Sequence, residues 1–169
     1  LHPVTVETYD ELTATHLLDM MKKDKTVCAI TAGTPGIWNW TPERRQAAGK
    51  QFVDVGIAEE HAVALASGIA KASGKPVQLA YDQLSQDLCI NDNPATILVL
   101  WGSLTTMTDV THLCHFDIPL LANIPNLVYL APTNREEYLA MLDWSLDYRE
   151  HPVAIRVPFG PVAAADRPV

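Results

Sequence analysis

The chain has 169 residues, 48% apolar and 19% charged, a composition that suits one domain with its own hydrophobic core and excludes a disordered segment. Its formal net charge of −8 excludes a general nucleic-acid binder, whose affinity rests on clustered Lys and Arg. Three cysteines, Cys28, Cys89 and Cys114, with no Cys-x-x-Cys pair, fit a reduced protein. No apolar run reaches the length of a membrane span and no basic-then-apolar leader opens the chain, so a cytoplasmic protein with no membrane partner is expected. The chain opens on Leu1 rather than Met, which is compatible with a piece of a longer protein.

In chain order, VETYDELTATHLLDMMKKD (6–24) has apolar residues at helical spacing, acids early and lysines late, as the helix dipole favours. TVCAITA (26–32) is a short apolar run that predicts a buried strand. TAGTPGIWNWTPERRQAAGK (31–50) is rich in turn residues and predicts a loop with a short helix near its end. QFVDVG (51–56) is a second strand and residues 58–73 a helix. KPVQLA (75–80) predicts a short strand, DQLSQDLCI (82–90) a helix, and ATILVLWGS (95–103) the strongest strand. CHFDIPLLANIP (114–125) is mixed, and NLVYLAP (126–132) is a strand. Thr133 then starts a helix over 135–148, with Glu136 at capping-box spacing, and VAIRVP (153–158) is the last strand. Strands alternate with helices, and most strands are apolar on both faces. The expected fold is α/β, a three-layer, doubly wound, mainly parallel sheet of about six strands with helices on both faces. Ligands in such sheets bind beyond the carboxyl ends of strands. Gly56–His61, Gly102–His115 and Ala131–Arg135 have that position.

The stretch DVGIAEEH (54–61) holds two glutamates and a histidine at the start of a helix of small apolar residues. On that helix Glu59 shares a stripe with Ala62, Val63, Ala66 and Ala70, whereas Glu60 shares one with Ser67 and Lys71. Glu60 is therefore expected to face water and Glu59 to face inward. An inward carboxylate is desolvated, which favours its neutral acid form and outweighs the helix dipole. Acids in a first helical turn also occur for their electrostatics alone. His61 lies on an uncharged flank and is expected to pack beside the site rather than act as its acid or base. The run HLCH (112–115) lacks the spacing and the second ligand pair of a zinc site. Trp144 is most simply core, while WNW (38–40) suits either an interface or cover for the core.

FVDVGIAEEHAVALASGIA resembles the pyrimidine-binding domain of the transketolase family of thiamine-diphosphate enzymes, and within it the 1-deoxy-D-xylulose-5-phosphate synthases. AYDQL (80–84), the His-x-x-x-Phe-Asp of 112–117, IPNLVYLAPTN (124–134) and HPVAIRVP (151–158) have similar counterparts in the same order. The likeness runs from Tyr9 to Pro158. It implies a two-carbon transferase in which Glu59 contacts N1′ of the cofactor aminopyrimidine and activates it, with Ile57 packed near the ring. It further implies that His112 lies near the donor substrate and that Arg156 meets the phosphate of an aldose acceptor. In this family a second domain or subunit holds the diphosphate and its Mg²⁺ through a Gly-Asp-Gly…Asn motif. No such motif occurs in these residues. A diphosphate-binding partner of the same enzyme, and self-association into a dimer, are therefore implied.

Three departures qualify the likeness. KPV runs into QLAYDQ without the aromatic loop that packs on the pyrimidine in the synthases; omitted residues are expected there. LWGS (100–103) lacks the family's substrate-phosphate arginine, and Leu79 replaces a basic residue. HLCHFD stands where the synthases have HQGAFD. These changes bear on the sugar phosphate more than on the thiamine site, and they leave open a non-catalytic descendant that binds a partner subunit.

Overall fold

The computed structural model describes residues 6–72, 74–77, 84–100, 116–158 and 160–163. Its elements in order are α1 (Tyr9–Lys23), β1 (Val27–Thr31), α2 (Pro42–Ala48), a 3-10 turn (Gly49–Gln51), β2 (Phe52–Asp54), α3 (Glu59–Lys71) and β3 (Lys75–Val77). A π-helix (Leu84–Cys89), β4 (Thr96–Val99), α4 (Asp117–Leu121), β5 (Val128–Leu130), α5 (Arg135–Asp147) and β6 (Val153–Arg156) follow. The six strands form one sheet in the order β2-β1-β3-β4-β6-β5, and every pairing is parallel.

Alternation along the strands builds three layers. Val27 and Ala29 of β1, Leu98 of β4 and Val153 and Ile155 of β6 join one core. There they meet Leu12, Leu17 and Met21 of α1 and Tyr138, Leu142 and Leu146 of α5. Ile97 of β4 and Ala154 of β6 turn to the opposite face. On that face they meet Val63 of α3, Leu88 of the π-helix and Leu121 of α4. Ile30 packs on Ala62 and Ala66 of α3, whose small side chains let the helix lie close to the sheet. β1 is buried along its whole length and β4 and β6 nearly so, while the edge strands β2 and β5 are only half covered. Apolar residues on both faces mark the central strands for that reason.

Two sequence expectations are corrected and a third is made more specific. The last helix is capped by Asn134, not Thr133: its side chain accepts from Glu137 N at 2.9 Å. Glu137, not Glu136, reaches back to Thr133 N and Oγ1, both at 2.8 Å. The helix expected over 82–90 is found across Leu84–Cys89, where it takes the wider π form. Trp144 is 45% exposed and stacks on Tyr148, because α5 buries the opposite face through Tyr138, Leu142 and Ser145. WNW resolves as cover for the core, with Trp38 and Trp40 both buried. The chain between β3 and the π-helix, with Leu79 and the expected loop, and the segment 101–115, with His112, HLCH and Cys114, lie outside the described residues. Among the described residues no helix is long and apolar enough to cross a membrane.

Candidate functional site

In a parallel sheet all carboxyl ends face the same way. The chain winds outward from β1 to β2, then returns through α3 to β3 on the other side of β1. The winding direction therefore reverses beside β1, which is where doubly wound sheets leave a crevice for ligands.

The loops that leave β1 and β2 meet at this point. Asp54 closes β2, and its Oδ1 accepts from Gly33 N at 2.8 Å and from Gly56 N at 3.1 Å. Val55 N donates to Thr31 O at 3.0 Å, continuing the sheet pairing by one bond. Gly33 has φ of +72°, the left-handed region that glycine adopts without steric cost. A Cβ on it would lie 3.0 Å from Cγ1 and 3.2 Å from the backbone nitrogen of Ile57. The β1 loop therefore lies directly against the Gly56–Ala58 turn that leads into α3.

Beside this junction is a cavity of about 160 Å³. Leu17, Ala29, Trp38, Trp40 and Leu98 supply its apolar wall. The tryptophans reach it through the turn 34–41, in which Trp40 N donates to Pro35 O at 2.9 Å and Asn39 stands between them at φ +54°. Trp40 is backed by Phe52, ring to ring at 4.8 Å. Glu59 is the one ionisable side chain among the described lining residues. Thr31 also lines the cavity; it is 6% exposed, and its Oγ1 has no hydrogen-bond partner among the described residues. A buried hydroxyl without a partner is costly, and such atoms are rare outside ligand sites and sites of strain.

Glu59 is at the cavity but is not desolvated. It is exposed, as are Glu60 and His61, while Ala62, Val63, Ala66 and Ala70 of the same helix are buried. The stripe is correct in angle, but its first turn stands beyond the strand ends, where no described element covers it. His61 is correspondingly a surface residue and not a packed one. Ile57 is 88% exposed, held by its backbone rather than by surrounding side chains.

Arg156 ends β6. Its Nε donates to Asp117 Oδ2 at 2.6 Å, and Tyr129 Oη donates to the same oxygen at 2.8 Å. Asp117 is buried. Burial opposes its charge, but the hydrogen bonds from Arg156 and Tyr129 outweigh that and hold its carboxyl below the ordinary value. Arg156 and Glu59 share the carboxyl end of the sheet without meeting: β3 and β4 stand between β1 and β6, three strand spacings or roughly 14 Å. Asp54, Thr31, Asp117 and Tyr129 were not singled out from the sequence. A carboxylate closing a strand directly before a glycine turn was the available signal for Asp54. Cys28 and Cys89 are buried free thiols, each pushed up to about 11 by burial, with Asp92 adding to the effect at Cys89.

Residues 8–160 match the family model described as the transketolase, pyrimidine binding domain. The 1-deoxy-D-xylulose-5-phosphate synthase of Clostridium botulinum (strain Alaska E43 / Type E3) is 36% identical over 168 residues, covering 91% of this chain and 26% of that protein. The synthase of Heliobacterium modesticaldum is 36% identical over 161 residues, covering 90% of this chain and 25% of that protein. The chain thus spans about a quarter of the length of the curated relatives it matches. Among solved structures, a split-gene transketolase described as an inactive beta4 tetramer superposes with a TM-score of 0.77 at 17% identity, over 95% of this chain and 54% of that one. The Pichia stipitis transketolase in complex with sedoheptulose 7-phosphate gives a TM-score of 0.78 at 13% identity, over 97% of this chain and 27% of that one. With a six-stranded parallel sheet on the same plan and a match over nearly its whole length, the chain belongs to the transketolase pyrimidine-binding domain family.

Proposed function

We propose that this chain is the pyrimidine-side domain or subunit of a thiamine-diphosphate-dependent transferase of two-carbon units, similar to 1-deoxy-D-xylulose-5-phosphate synthase. The observation that carries the reading is the cavity at the sheet's reversal point, whose apolar wall is broken by Glu59 and by Thr13, Thr31 and Thr34, the Thr31 hydroxyl being without a partner among the described residues. Those residues fit an aminopyrimidine: a flat, largely apolar ring with polar edges needs apolar walls and a few polar groups on its rim. Glu59 would hold the ring nitrogen N1′, Thr31 would supply a further polar contact, and Ile57 would cover the ring from the α3 turn. When bound, thiamine diphosphate supplies carbanion-stabilising chemistry that amino-acid side chains lack.

The role of this chain is to bind, orient and move one proton. The Glu59 carboxyl holds or releases a proton at the oxygen facing N1′, as a general acid–base. Its exposure in the chain alone makes a covering partner part of the reading. A diphosphate-binding domain or subunit, which also holds Mg²⁺, would close over α3 and desolvate the carboxylate, favouring its proton-carrying form. His112 and Arg156 would face the sugar substrates, with Arg156 directed at an acceptor phosphate. Titration of thiamine diphosphate and Mg²⁺ into the complete assembly, followed by calorimetry, tests the reading. Saturable binding that depends on this chain is expected. Heat-silent titration with every candidate diphosphate-binding partner would leave the chain as a partner-binding descendant without cofactor.

A further inference from the structure

Between β2 and α3 the backbone bonds Val55 N to Thr31 O and Ala58 N to Gly56 O are joined by few side-chain anchors. Ile57 is almost fully exposed, Gly56 adopts φ +72°, and Ala58 caps α3 without a side-chain hydrogen bond. Over 54–61 the one side chain that makes a hydrogen bond among the described residues is Asp54. A glycine-containing turn with no side-chain anchor samples many conformations, and α3 starts one residue after it.

We infer that Asp54 is the positioning residue for Glu59: by bonding Gly33 N and Gly56 N through one carboxylate oxygen, it locks the β1 loop to the α3-entry turn and sets where Ile57 and Glu59 stand over the cavity. The two bonds act on different loops. The bond to Gly56 shapes the turn locally, and the bond to Gly33, 21 residues earlier in the chain, ties that turn to the wall carrying Thr31 and the tryptophans. Gly33 also lies close enough to Ile57 that a Cβ on it would meet both the side chain and the backbone nitrogen of Ile57. Asp54 itself does not line the cavity. It acts through the residues it holds, and misplacing a catalytic group by about 1 Å costs on the order of 100-fold in rate.

This inference rests on the cofactor reading above, and its test separates the two. In the complete enzyme, Asp54→Ala is expected to slow deuterium exchange at C2 of bound thiamine diphosphate by about 10- to 100-fold at saturating cofactor. Asp54→Asn, which retains an oxygen able to accept both bonds, is expected to restore the rate to within a few-fold. Amide hydrogen exchange without cofactor provides the independent readout: Gly33 and Gly56 lose protection in Asp54→Ala and keep it in Asp54→Asn. Loss of that protection with C2 exchange unchanged would overturn the positioning role. So would an Asn variant as slow as the Ala variant, or Gly33 and Gly56 amides that ignore both substitutions. Glu59→Gln in the same assay reports on the cofactor reading alone. If Glu59→Gln exchanges at the wild-type rate while Asp54→Ala is slow, the cofactor role of Glu59 fails and the loop clamp survives.

Discussion

At Gly33 one added methyl group meets the Ile57 side chain and backbone together, on a residue already at positive φ. Gly33→Ala is expected to destabilise the fold by ~1–3 kcal/mol, read as a lower urea midpoint at unchanged slope. Thr31 presents the opposite case. Its buried hydroxyl has no partner, so Thr31→Val is expected to raise stability by about 1 kcal/mol while weakening cofactor binding, two effects that calorimetry and urea titration separate. Glu59 shows where sequence reading stops at this scale. Helical periodicity assigns a residue to a face, and it paired Glu59 with the buried Ala62, Val63, Ala66 and Ala70. It carries no information on height along the helix, and Glu59, in the first turn, is exposed at the cavity. Thr31 is illegible for a related reason, and the strand-end position of Asp54 shows only half of its role: the importance of each lies in a contact, or a missing contact, between segments far apart in the chain.

The elements were more legible than the site. β1, β4 and β6 have apolar residues on both faces because both faces are covered, and that pattern survives any error in where a strand ends. The caps are finer grained. Thr133 and Asn134 can each start α5, and the choice falls to Asn134 because Glu137 then reaches both polar groups of Thr133. Asn134→Ala is expected to cost about 1 kcal/mol, measurable by thermal melting. α4, β5 and β6 are joined by Asp117, Tyr129 and Arg156. The Asp117 carboxyl lies below its ordinary value of 3.8 in the folded chain. Its ionised form therefore stabilises the fold fully above that range, and the contribution disappears as pH falls through the lower folded value. The stability gap between the wild type and Asp117→Asn should accordingly be constant near neutral pH and narrow below about pH 4. A gap that widens in acid would contradict the arrangement.

At the scale of the whole molecule, the sheet places two groups of functional candidates at its carboxyl end, Glu59 with the cavity near β1 and Arg156 at the end of β6. This chain matches about a quarter of the length of its curated relatives, and Ile57, just past the end of β2, and Phe116, just before α4, are exposed. Both facts suit a surface that a further domain covers, and on the cofactor reading that cover completes the environment of Glu59. The succession of strands and helices along the chain and the α/β layering followed from alternation of patterns in the sequence. The reversal point beside β1 did not, because strand order is decided by which neighbours pair and not by any one segment. The most direct measurement is deuterium exchange at C2 of thiamine diphosphate bound to the complete enzyme, with Glu59→Gln and Glu60→Gln compared in parallel. Glu59→Gln should abolish the exchange while Glu60→Gln leaves it near the wild-type rate; exchange that persists undiminished in Glu59→Gln would contradict the role given to that carboxylate.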